Sequence, residues 1–149
     1  MGLRNAKIKL AANECRSAFA FKSNVFNNSV EKDYFINPGC FGDDVARWLI
    51  SQLQASGYAA EERLGQEDFG WFFSFEAART KHDVVIGYRP DADHREGEWL
   101  CWIERKAGLV GSMLGTRKRV EPEAILAVHQ ILSSSPSISS VRQCFEHDL

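Results

Sequence analysis

Asp83, Glu104 and Lys106 are the residues whose types and spacing could do chemistry. Asp83 stands near the start of one stretch of alternating polarity, and Glu104-Arg105-Lys106 ends the next. Two carboxylates brought together can hold a divalent ion that polarises a phosphate ester, and a lysine two residues on, on the same strand face, can orient the attacking water. Everything then depends on strand register. If Pro90 faces Glu98 across the hairpin, Asp83 faces Arg105 and lies on the other side of the sheet from Glu104 and Lys106, unless a bulge intervenes. In that arrangement Asp83 and Arg105 form a cross-strand ion pair, and Glu104 and Lys106 are solvated charges at a strand end.

Other chemistry-bearing residues have plainer readings. Asp91, Asp93 and Glu96 with His94 resemble a set of hard-cation ligands, but Arg95 intrudes and the glycine of a calcium loop is missing, which suits a solvated hairpin tip. Glu67-Asp68 could be an acid and base pair, or a turn before a strand. His129 falls on the apolar face of a helix, as a core histidine does. Cys40 precedes a helix whose positive end could lower its thiol pKa, or it is a small buried apolar group.

The loop 108–119 reads best as a binding surface. Leu109, Val110, Met113 and Leu114 are costly to expose, and Arg117, Lys118 and Arg119 stand beside them, joining an apolar patch to a positive one. Folding of these apolar residues back over the sheet is the alternative.

The elements that must position these groups follow from periodicity. Val45, Trp48, Leu49 and Leu53 make one helical stripe within 41–56, with Asp43 and Asp44 in the first turn and Gly57 as the stop. Strands are expected at 18–26, 58–64, 69–77, 82–89 and 98–106, with a short extended piece at 34–36. Trp99, Cys101 and Ile103 oppose Leu100 and Trp102, which predicts a central strand covered on both faces; the two tryptophans on opposite faces leave room for a homodimer contact. Pro122 opens a second helix carrying Ile125, Val128 and Leu132, and a last strand is expected at 138–145. The result is one α+β domain over 18–149 after an arm, 1–17, with an antiparallel meander of four to six strands and two helices mainly on one face.

Composition narrows the function classes. The chain has 149 residues, 44% hydrophobic and 11% aromatic, which supports a packed core. A net charge of −2 excludes a global basic field for nucleic acid. Four scattered cysteines suggest a reducing, cytoplasmic setting, and no apolar run approaches the roughly 20 residues of a membrane helix.

Two resemblances accompany these readings. The order helix, three strands, helix, strand over 41–145, with Asp83 and then Glu104-Arg105-Lys106, resembles the PD-(D/E)xK nuclease core, although His82 stands where that family has proline. It implies metal-dependent cleavage by Asp83, Glu104 and Lys106. Glu67-Asp68-Phe69-Gly70-Trp71, between the first helix and Trp99 to Trp102, is similar to the E-D-x-G-W strand start of small bacterial proteins of unknown activity, which implies a compact bacterial α+β domain and no catalytic residues. The leading expectation is a non-catalytic protein-binding module without cofactor, of an immunity or regulatory kind, using Leu109 to Arg119. The Mg2+-dependent nuclease is the alternative, and only under it is nucleic acid a partner.

Overall fold

The computed structural model describes residues 16–91, 97–106, 119–145 and 149. In chain order they form β1 (Ala18–Lys22), α1 (Asp43–Ala55), β2 (Ala59–Ala60), β3 (Gly65–Glu67), β4 (Gly70–Ala77), β5 (Thr80–Arg89), β6 (Glu98–Arg105), α2 (Pro122–Ser134) and β7 (Ser139–Cys144). The fold is α+β, with a seven-stranded sheet in the order β2-β4-β5-β6-β1-β7 and β3 also paired to β4. All pairings are antiparallel. The strand count exceeds the expected four to six because 58–64 does not form one strand: β2 and β3 lie beside different parts of β4.

Alternation builds the buried face. Trp71, Phe73 and Phe75 of β4, Val84 and Ile86 of β5, Trp99, Cys101 and Ile103 of β6, and Phe19 and Phe21 of β1 are all at most 3% exposed. Both helices pack there, Val45, Leu49 and Leu53 from α1 and Ala124, Val128 and Leu132 from α2. Each large side chain so buried contributes about 1.5–3 kcal/mol. The helix ends follow ordinary rules: Asp43 and Asp44 sit in the first turn of α1, Gly57 (φ 92°) follows its end, and Pro122 opens α2. Neither helix is long and apolar enough to cross a membrane.

The opposite face carries Phe72, Ser74 and Glu76, then Lys81, Asp83, Val85 and Gly87, then Leu100, Trp102 and Glu104, then Ala18, Ala20 and Lys22. No described helix lies over it. β6 is central, as its two-sided pattern predicts, but its neighbour is the N-terminal strand β1, inserted between β6 and β7. Trp99 is wholly buried and so makes no dimer contact.

The expected β5–β6 register is one residue out. Arg89, not Pro90, faces Glu98, so Asp83 faces Glu104 and His82 faces Arg105. This register brings Arg89 Nη2 within 2.8 Å of Glu98 Oε1. Gly97 permits it, since a Cβ there would lie 2.4 Å from Tyr88 Oη and 2.5 Å from the Arg89 carbonyl oxygen. A slip of one residue exchanges faces, which is why Asp83 and Glu104 share a face after all. The expected Asp83–Arg105 pair does not form; Arg105 bonds Glu121 at 3.2 Å instead.

Candidate functional site

At one end of the face opposite the helices, Asp83 and Glu104 stand directly opposite each other, with side chains separated by about 5 Å at the Cβ in such pairs. Like charges so placed repel, and each carboxylate is steadied by a neutral donor. Ser74 Oγ donates to Asp83 Oδ1 at 2.5 Å, and Trp102 Nε1 donates to Glu104 Oε1 at 3.2 Å. Lys81 Nζ bonds Glu61 Oε1 at 3.2 Å, and the backbone N–H of Lys106 donates to the Lys81 carbonyl at 3.0 Å. The Glu61 carboxyl is held below its ordinary value by the Lys81 hydrogen bond and charge, with smaller help from Lys106 and Ser74. Asp83 and Glu104 fit the one or two carboxylates by which Mg2+ is usually held, each keeping an oxygen beyond these bonds. Among the described residues no group of three or more His, Cys, Asp or Glu converges on a metal position.

The binding loop expected at 108–119 lies outside the described residues apart from Arg119, whose carbonyl accepts from Arg105 Nη1 at 3.4 Å. Leu109, Val110, Met113, Leu114, Arg117 and Lys118 are among the residues left out, as are 92–96 of the hairpin tip and 1–15 of the arm.

A surface that periodicity does not flag lies at the loop 23–42. Gln66 grips this loop from β3, accepting from Ile36 N–H at 2.8 Å and donating to the Tyr34 carbonyl at 2.9 Å. Asn37 Nδ2 donates to the Glu67 carbonyl at 3.3 Å, and Trp71 Nε1 to the Cys40 carbonyl at 2.8 Å. The Tyr34 hydroxyl donates to Asp43, and the rings of Tyr34 and Phe35 pack edge-on against Trp71. At the other end of the loop, Asn27 N–H donates to Asp44 at 2.7 Å and Asn28 to Tyr88 Oη at 3.1 Å. So the E-D-F-G-W segment is an anchoring turn: Glu67 and Asp68 accept through their backbone carbonyls, the Asp68 carboxylate also accepts from Asn37 Nδ2 at 3.5 Å, and Phe69 leans on Trp102.

The remaining candidates resolve simply. The Cys40 thiol is pushed up, by burial and then by Asp68, so the lowered pKa expected from a helix end does not arise; α1 begins only at Asp43, and Cys40 Sγ donates to the Asp68 carbonyl at 3.4 Å. His129 stacks on Phe19 with ring centroids 5.5 Å apart. His82, passed over in the sequence, is wholly buried: its Nδ1–H donates to the Thr80 carbonyl at 3.0 Å and its Nε2 accepts from Glu121 N–H at 3.1 Å. In comparisons with known proteins, no family model, no curated protein and no solved structure matches this chain.

Proposed function

We propose that this chain is a cytoplasmic, non-catalytic protein-binding module, of an immunity or regulatory kind, that docks through the loop 23–42 and the turn at Phe69. One observation carries the reading. Of the six large apolar side chains more than half exposed among the described residues, five (Val25, Val30, Tyr34, Ile36 and Phe69) lie on that loop or on the turn hydrogen-bonded to it. An exposed apolar cluster marks a contact surface, and a loop already held by its own hydrogen bonds loses little freedom on docking. The test is a photo-reactive amino acid at position 36 against one at exposed position 52, cross-linked in cells. A discrete adduct from position 36, absent at 52 and lost on Phe69→Asp, is the expected result. Equal labelling at both positions, or none, overturns the reading.

A second reading, a Mg2+-dependent nuclease resembling the PD-(D/E)xK group, is favoured by the register that sets Asp83 opposite Glu104. The metal would polarise the scissile phosphate, with Lys106 beside the two carboxylates to orient water. Labelled DNA and RNA with Mg2+ or Mn2+ test it. Cleavage by the wild type that Glu104→Ala and Lys106→Ala both lose would establish this reading, and equal behaviour of all three proteins would remove it.

A further inference from the structure

The sheet face opposite the helices has a second charged region, at the β5–β6 hairpin end. Glu104 lies six residues along β6 from Glu98, about 20 Å, so this region is independent of the carboxylate pair. There Arg89 pairs with Glu98, and Lys22 follows Phe21, which pairs with Trp99, so Lys22 extends the same cross-strand row. Arg142, on the far side of β1, reaches over to join them. Together they border an open groove of about 530 Å³, which Asp91 and Gly97 also line.

Glu98 organises the groove. Arg89 Nη2 donates to its Oε1 at 2.8 Å, and Arg142 Nη2 donates to Oε1 and Oε2 at 3.1 and 2.9 Å. Burial pushes the Glu98 carboxyl up, but the hydrogen bonds and charges of Arg142 and Arg89 outweigh it and hold the group below its ordinary value. The side chain of Glu98 is 23% exposed, against 43% for Arg89 and 56% for Arg142. The carboxylate is therefore the floor and the guanidiniums are the rim, so an incoming anion meets cations first. Among the described residues each guanidinium bonds Glu98 through one terminal nitrogen, and its planar fork of five N–H groups has others that can serve a further acceptor. Holding two forks in place beforehand lowers the ordering cost of gripping a ligand.

We propose that this groove binds the phosphoryl group of a small phosphorylated molecule, clamped by Arg89, Arg142 and Lys22 around Glu98. A phosphoryl group matches the bidentate geometry of guanidinium, and the groove has the size of a small-molecule site.

The experiment is an amide NMR titration with inorganic pyrophosphate at fixed ionic strength, with chloride as the matched control, on the wild type, Arg142→Gln, Lys22→Gln and Glu98→Gln. Saturable shifts at residues 22, 89, 97 and 142 are expected with pyrophosphate and not with chloride. Arg142→Gln should weaken binding about tenfold, as loss of a charge-assisted bond does. Lys22→Gln should weaken it less, and Glu98→Gln should tighten it by removing a competing carboxylate. Shifts that chloride reproduces, or pyrophosphate affinity unmoved by Arg142→Gln and Lys22→Gln, would mean that the arginines only tie β7 to β6, and would overturn the site. If Glu98→Gln fails to fold, the two cation variants decide the matter.

Discussion

The imidazole of His82 has no place for a second proton. Its δ nitrogen donates to Thr80 and its ε nitrogen accepts from the backbone N–H of Glu121, which fixes the neutral form and ties the entry of α2 to β5. Burial lowers its pKa from the ordinary 6.5; the Thr80 bond raises it, the charge of Arg105 lowers it, and Glu121 and Asp83 raise it again, leaving it depressed. The unfolded chain therefore takes up this proton first as pH falls. Stability is complete above about pH 6.5, declines as pH drops towards the depressed folded value, and levels off below it. Urea midpoints should fall on acidification from neutrality to about pH 5 in the wild type, and the fall should be smaller in His82→Gln, whose amide oxygen can still accept from Glu121. Identical slopes would refute the linkage. Gly70 offers a second check at this scale. A Cβ there would sit 1.9 Å from the Ile86 carbonyl oxygen, so Gly70→Ala must force β4 away from β5. A loss of about 3 kcal/mol or more in denaturant unfolding is expected. The glycine of the E-D-F-G-W segment is thus required by backbone contact.

Among the elements, α1, α2 and the central strand were legible because each repeats a strong period: Val45, Leu49 and Leu53 on one helical face, and Trp99, Cys101 and Ile103 on one strand face. The partnership of Asp83 with Glu104 was not, because it turns on whether Arg89 or Pro90 faces Glu98, a one-residue difference that alternation leaves open. The turn between β4 and β5 is Ala78-Arg79, both in left-handed conformation (φ 51° and 57°), where an Asn-Gly pair would have signalled a two-residue hairpin. That turn puts Ser74 opposite Asp83, a contact no local pattern reveals. The docking loop was equally hidden, since it is held by Gln66, Glu67 and Trp71 from other elements and has no period of its own. The strain at the turn is testable. Ala78→Asn with Arg79→Gly should raise stability by about 1–2 kcal/mol by thermal unfolding, because left-handed backbone is costly for ordinary residues. No gain would argue against this turn geometry.

On the scale of the whole molecule, the helices cover one side of the sheet and the three charged or apolar surfaces are spread over the rest. The carboxylate pair and the arginine groove lie at opposite ends of the same sheet face, the one away from the helices. β7 protects the flank of β1, whose Phe19 and Phe21 belong to the core. Deleting residues from 135 onward should leave β1 as a bare edge, and aggregation on size-exclusion chromatography is the expected outcome. A soluble monomer of the shortened chain would show that β7 is dispensable.

The interior position of β1 has a consequence for how the protein is made. Ala18 leaves the ribosome early, yet its neighbours are Trp102 on one side and Cys144 on the other. At ordinary synthesis speeds the second partner follows on the order of ten seconds later. During that interval the apolar strand Ala-Phe-Ala-Phe waits without either neighbour, while the β4–β5–β6 hairpins can form as soon as they emerge. Pairing of Ala18–Lys22 on both sides must therefore wait for Ser139–Cys144, and a chaperone that shields nascent apolar segments should engage the chain at Ala18–Lys22.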